Sequence, residues 1–137
     1  MSFLLDTNVV SEARKVVPDP AVEAWLASVR ATDLYVSVLV IGEIRQGVER
    51  LRRRDHRRAG TYEAWLDTLL RHYGDRILPL TVEAAQQWGR WNVPDRLPAV
   101  DGLIAATAMV HDLTLVTGNA RDFRRPGLRV LDPFQRH

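Results

Sequence analysis

Apolar positions along the chain fall into short unbroken runs and longer helical stripes. The first run, residues 3–5, ends abruptly at Asp6, Thr7 and Asn8. It predicts a short buried strand, and residues 9–14 continue in a helical pattern. Pro18-Asp19-Pro20 restarts the chain, with Asp19 as cap and Pro20 at the first helical position. Ala21, Val22, Trp25, Leu26 and Val29 then recur at helical spacing. Leu34-Tyr35-Val36 predicts a second strand, and Ser37 caps the next helix. Over 39–54, Ile41, Ile44, Val48 and Leu51 form an apolar stripe. Tyr62, Trp65, Leu66, Leu69, Leu70 and Tyr73 mark a helix over 61–73, stopped by Gly74. Residues 57–60 read as the turn between these two helices, making 39–73 a helical hairpin.

Residues 77–80 resemble a short strand, and Thr81 caps a helix running to about Asn92. A polar loop with two prolines leads to a helix over 99–111, rich in small and apolar residues. Residues 113–117 are the clearest strand; 118–127 form a loop or brief helix, and 128–131 the last strand. Strands separated by helices argue for an α/β fold with a parallel sheet covered on both faces. The chain has 137 residues, no internal repeat and no linker, so residues 1–137 are expected to form one domain.

Composition narrows the chemistry. There is no cysteine, which excludes disulfides and thiolate metal sites and points to a reducing compartment. The start lacks a basic-then-apolar leader pattern, and no apolar stretch is long enough to span a bilayer. A soluble, cytoplasmic protein with no membrane association is expected. The formal charge is only +2, and Lys15 is the single lysine among 19 basic residues. The distribution matters more: Arg45, Arg50, Arg52, Arg53, Arg54, Arg57 and Arg58 face only Glu49 and Asp55 within residues 45–58. That block reads as a surface for phosphate or an acidic partner, or as a solvated helix end.

Four acids stand where a bland account is weaker. Asp6 follows directly on the first strand, and ligands of open α/β sheets gather at the carboxyl ends of strands. It also reads as a helix cap, and Thr7 and Asn8 read as caps or as groups orienting a bound water. Glu43 lies early in its helix, one turn before Gly47, where it reads equally as a solvent-facing partner of the helix dipole. Asp101 shares a helix face with Ile104, Ala105 and Ala108. A carboxylate on such a face needs a cap role or a cation. Asp122 and Asn119 follow the clearest strand and have turn and cap character too. Together the four carboxylates would repel one another, and a divalent cation would neutralise them. Oxygen-only ligands suit Mg²⁺ or Mn²⁺, which makes phosphodiester hydrolysis the natural chemistry. His56, His72, His111 and His137 form no ligand pair, and no phosphate-binding glycine loop or nucleophile elbow is present. Of the tryptophans, Trp25 and Trp65 read as core or interface; Trp91, beside the polar loop, also invites a base-stacking reading.

Four blocks now stand in order: residues 4–11, 37–47, 101–108 and 115–123. In that order and spacing the chain resembles PIN-domain proteins of the VapC type, in particular the FitB-like subgroup. The resemblance implies a small three-layer α/β/α sandwich with a central, mostly parallel sheet. It implies Asp6, Glu43, Asp101 and Asp122 as the acidic cluster, catalytic and metal-holding, with Thr7 and Asn119 at supporting polar positions. It further implies a Mg²⁺-dependent (or Mn²⁺-dependent) ribonuclease, the toxin of a type II toxin–antitoxin pair. Its products would carry a 5′-phosphate and a 3′-hydroxyl. The implied partners are an RNA substrate, a VapB-like antitoxin that blocks the site, a second copy of the chain in a homodimer, and operator DNA through the antitoxin. The competing expectation is a weakly active or inactive PIN-domain subunit that regulates within such a DNA-binding complex. The Arg52–Arg54 cluster lies outside the shared motif.

Overall fold

The computed structural model describes residues 1–134, so His137 lies outside the described residues. Five strands form one sheet: β1 (Phe3–Leu5), β2 (Leu34–Ser37), β3 (Ile77–Leu78), β4 (Thr114–Val116) and β5 (Val130–Leu131). Six helices connect them: α1 (Thr7–Arg14), α2 (Pro20–Ser28), α3 (Val38–Arg52), α4 (His56–Tyr73), α5 (Val82–Trp91) and α6 (Ala99–Val110). Every residue of β1 and β4 is buried, as expected for parallel strands covered on both faces.

The strand order is β3-β2-β1-β4-β5, and every pairing is parallel. β1 is central, with Phe3 opposite Leu34 on one side and Leu4 opposite Leu115 on the other. The chain therefore winds outward from β1 to β3, then crosses back to place β4 against the other edge of β1. Right-handed crossovers in opposite directions put α1–α4 on one face and α5–α6 on the other. The expected sandwich of sheet and helices is what forms, and the winding reverses between β1 and β4, the place where ligand crevices of such sheets lie.

Local signals explain most element starts. Asp19 accepts hydrogen bonds from the Ala21 and Val22 amides, Ser37 from Leu39, and Thr81 from Ala84. Gly74, at φ +50°, ends α4 in the left-handed region that favours glycine.

Some boundaries differ from those expected. α1 begins at Thr7 rather than residue 9, because Asp6 itself is the cap. Residues 57–60 are not the turn: α4 begins at His56, capped by Asp55, whose Oδ1 accepts from the Arg58 amide. Ala59 is wholly buried and anchors that first turn, outweighing the helix-weakening Gly60. β3 stops before Pro79, which has no amide to donate. Trp91 is buried in the core, where its ring has no free face for a base. Among the described residues, no helix is long and apolar enough to cross a membrane.

Candidate functional site

The crevice beside β1 is lined by polar groups from both neighbouring strand ends. Asp6 closes β1, continues the ladder through its amide to the Val116 carbonyl at 2.9 Å, and is only 5% exposed. Its Oδ1 accepts from the Thr7 amide at 2.8 Å. Its Oδ2 accepts from the Thr117 hydroxyl at 2.8 Å and from the Asn8 amide group at 3.4 Å. Asn8 also donates to Thr117 Oγ1 and accepts from the Gly118 amide. These bonds tie the end of β1 to the end of β4 across 111 residues of chain.

Asp6 thus meets the cap reading, yet a cap does not account for its surroundings. Burial pushes its carboxyl above the usual range, and the charge of Glu43 adds to this. The donors on Thr117 and Thr7 pull the other way without cancelling the burial. Thr7 donates its hydroxyl to Glu43 Oε1 at 2.5 Å, so α1 and α3 meet directly at their acid-bearing turns. Glu43 is half-buried there rather than facing open solvent. Gly47, one turn on, makes room for a helix contact: a Cβ at that position would lie 3.2 Å from the Tyr62 ring.

Asp101 is half-buried in the first turn of α6. It is not the cap, for Pro98 occupies that position and no side chain caps the helix. Burial raises its carboxyl, and the charges of Asp6 and Asp122 raise it further. Its face is as expected: Ile104, Ala105 and Ala108 are fully buried. Gly102 lets α5 approach, since a Cβ there would sit 2.8 Å from Trp88 Cδ1. Asp122 is exposed on a 3-10 turn over Ala120–Phe123, anchored by the buried Phe123. Asn119 is exposed and enters the network through its backbone amide, which donates to Thr117 Oγ1 at 3.1 Å.

Six residues singled out from the sequence therefore gather around one crevice: Asp6, Thr7, Glu43, Asp101, Asn119 and Asp122. Sequence reasoning missed Thr117, which is wholly buried and hydrogen-bonds Asp6 directly. A hydroxyl closing the clearest strand, just before Gly118, was the available signal.

Oxygen ligands and unneutralised charge make the site suited to a hard divalent cation. Among the described residues, none of the four acids forms a salt bridge. Among the same residues, no three acid and histidine side chains converge closely enough to hold a metal ion by themselves.

The family profile of the PIN domain matches residues 3–127. The chain is 32% identical to the toxin FitB of Neisseria gonorrhoeae, with 96% of this chain and 98% of that protein covered. It is 29% identical to the VapC ribonuclease Y4jK of Sinorhizobium fredii, covering 97% and 98%. The solved structure of FitAB bound to an IR36 DNA fragment matches with TM-score 0.87 at 30% identity, over 98% of this chain and 97% of that one.

Proposed function

The chain belongs to the PIN-domain family, and from that premise we propose that it is a metal-dependent endoribonuclease, the toxin of a type II toxin–antitoxin pair. The observation that carries the reading is the crevice itself. Carboxylates from the end of β1, α3, α6 and the turn after β4 repel one another there, and among the described residues none of them is in a salt bridge. Relatives of matching length are a toxin and a VapC ribonuclease by name.

Asp6, Glu43, Asp101 and Asp122 would hold the ion, Mg²⁺ or Mn²⁺, in part through bound waters. When bound, it polarises the scissile phosphate, activates water and stabilises the leaving oxygen. The chain's own groups supply orientation. Asp6 Oδ2 already accepts two donors, whereas Oδ1 accepts one, so Oδ1 keeps a lone pair for the ion. Thr7 occupies Glu43 Oε1 and leaves Oε2 for the ion or an attacking water. Asn8 and Thr117 lock the rotamer of Asp6, the kind of support whose loss usually costs roughly 10–100-fold in affinity. Asn119 holds the turn that presents Asp122. Cleavage would leave a 5′-phosphate and a 3′-hydroxyl.

The same reading assigns a VapB-like antitoxin, a homodimer and a cytoplasmic setting. The solved neighbour FitAB is bound to DNA; for this chain, operator contact is assigned to the antitoxin. The test is cleavage of single-stranded and structured RNA by protein freed of antitoxin, in Mg²⁺, Mn²⁺ or EDTA. Asp6→Asn and Asp101→Asn should each lower the rate at least about 100-fold, a few kcal/mol of barrier. Equal cleavage in EDTA, or by both variants, refutes the mechanism. Absence of RNA cleavage together with tight operator binding would favour the regulatory-subunit reading.

A further inference from the structure

The basic block of residues 45–58 divides in two once folded. Arg45 and Arg52 reach from α3 to Glu63 on α4, at 2.5 and 3.0 Å, and both also face Glu49. Those two arginines are engaged in holding the hairpin together. Arg57 and Arg58 lie exposed in the first turn of α4 and have no ion-pair partner among the described residues. They line a cleft of about 410 Å³ with Arg14, Leu51, Asp55 and Thr61.

Arg14 rests over two aromatic rings. Its guanidinium lies 4.3 Å from the centre of the Tyr62 ring and 5.4 Å from that of Trp65. Those rings stack on each other at 5.5 Å and 11°. Stacking covers a face of the guanidinium and leaves its in-plane N–H edges able to donate. Asp55 is the cleft's one carboxylate, and its Oδ1 is turned to the helix end, accepting from the Arg58 amide. Three cations thus stand against one anion.

Two helices lead from the acids to this cleft. Thr7 to Arg14 along α1 spans about 10 Å, and Glu43 to Leu51 along α3 about 12 Å, at 1.5 Å per residue. Either distance is short enough for one RNA strand to reach both places.

We propose that the cleft between Arg14 and the start of α4 is a phosphate-binding exosite that grips the RNA backbone a short way along the strand from the scissile bond. The proposal rests on the ribonuclease reading of the acidic crevice. A phosphate strand suits the cleft better than an acidic polypeptide. Forked guanidinium donors match phosphate oxygens. Leu51 is the sole large apolar side chain in the lining, too little to seat an amphipathic helix.

The experiment compares Arg14→Gln and the double variant Arg57→Gln/Arg58→Gln with Arg53→Gln/Arg54→Gln, which removes equal charge outside the cleft. Full-length protein freed of antitoxin is titrated into a labelled RNA dodecamer in EDTA, and cleavage is followed separately in Mg²⁺. The Arg57/Arg58 double variant should weaken binding roughly tenfold and flatten the slope of log K against log salt by about 1.4, or 0.7 per lost phosphate contact. Its KM should rise by a similar factor while kcat falls less than twofold. Arg14→Gln should act in the same direction, and the Arg53/Arg54 variant should shift binding by less than twofold. Equal weakening by the Arg53/Arg54 variant would reduce the effect to general charge and overturn the proposal. So would unchanged RNA binding by the cleft variants of a wild type that cleaves RNA. Displacement of RNA by polyglutamate as effective as by polyphosphate would reassign the cleft to an acidic polypeptide. Failure of the wild type to cleave RNA in either metal is a separate result; it removes the ribonuclease reading and the exosite with it.

Discussion

Replacing Thr117 by valine keeps the shape of a wholly buried side chain and deletes one hydroxyl. That hydroxyl donates to Asp6 Oδ2 at 2.8 Å and accepts from Asn8 at 3.3 Å and from the Asn119 amide at 3.1 Å. The Asn119 amide lies on an exposed residue and can turn to water, and Asn8 retains Asp6. The loss therefore falls mainly on the Asp6 carboxylate. A hydrogen bond to a charged group contributes about 1.5–3 kcal/mol. At about 4 °C per kcal/mol for a chain of this size, Thr117→Val should melt about 6–12 °C below wild type at pH 8 in EDTA. Asp6 would also lose its fixed rotamer, so the apparent Mg²⁺ affinity, read from thermal shifts across a Mg²⁺ series, should fall about 10–100-fold. Thr117→Ser restores the hydroxyl and should recover the Mg²⁺ response, although it keeps a small packing loss. A Thr117→Val protein that melts with wild type and responds equally to Mg²⁺ would refute the role assigned to this contact.

Asp6 and Asp101 are both raised, chiefly by burial, so their contribution to stability is present when they are protonated and is lost as pH rises through their folded values. Glu12 and Glu63 are lowered, by Lys15 and by Arg45 respectively as the leading partners, and their contribution is lost only as pH falls through their folded values. In EDTA, urea melts should therefore show greater stability at pH 5 than at pH 8, with Mg²⁺ narrowing the gap; a flat profile would contradict the buried, uncompensated acids. Gly102→Ala should destabilise by about 1–2 kcal/mol, because the 2.8 Å approach to Trp88 strains a packed contact and outweighs the gain in helix propensity. Gly60→Ala, on α4 with nothing within 4 Å of the added Cβ, should instead stabilise by about 0.5–1 kcal/mol. Chemical denaturation of the two variants side by side checks both signs.

Three of the four acids were legible because each has a local signature. Asp6 ends an apolar run, Asp101 sits on a small apolar helix face, and Asp122 follows the clearest strand. Thr117 had only a weak signature, since a threonine at a strand end is ordinary and its value depends on which strand lies alongside. The arginine block read as one surface because charge was visible and orientation was not. Only the packing of α3 on α4 sends Arg45 and Arg52 to Glu63 while leaving Arg57 and Arg58 at the cleft. Trp91 misled for a similar reason: nearness to a loop in sequence did not reveal that its ring turns into the core.

By itself the sequence determined the local grammar of the chain. Asp19, Ser37 and Thr81 start helices, Gly74 stops one, and unbroken apolar runs become buried strands. These outcomes depend on hydrogen bonds and dihedral preferences within a few residues, so they can be read where they are written. Tertiary structure alone decided that β4 returns to the free edge of β1 instead of extending the sheet beyond β3. That choice depends on crossover handedness and on which apolar surfaces remain to be covered, both properties of the assembled layers. It brings Thr117 to Asp6 from 111 residues away, and it turns separately plausible acids into one crevice.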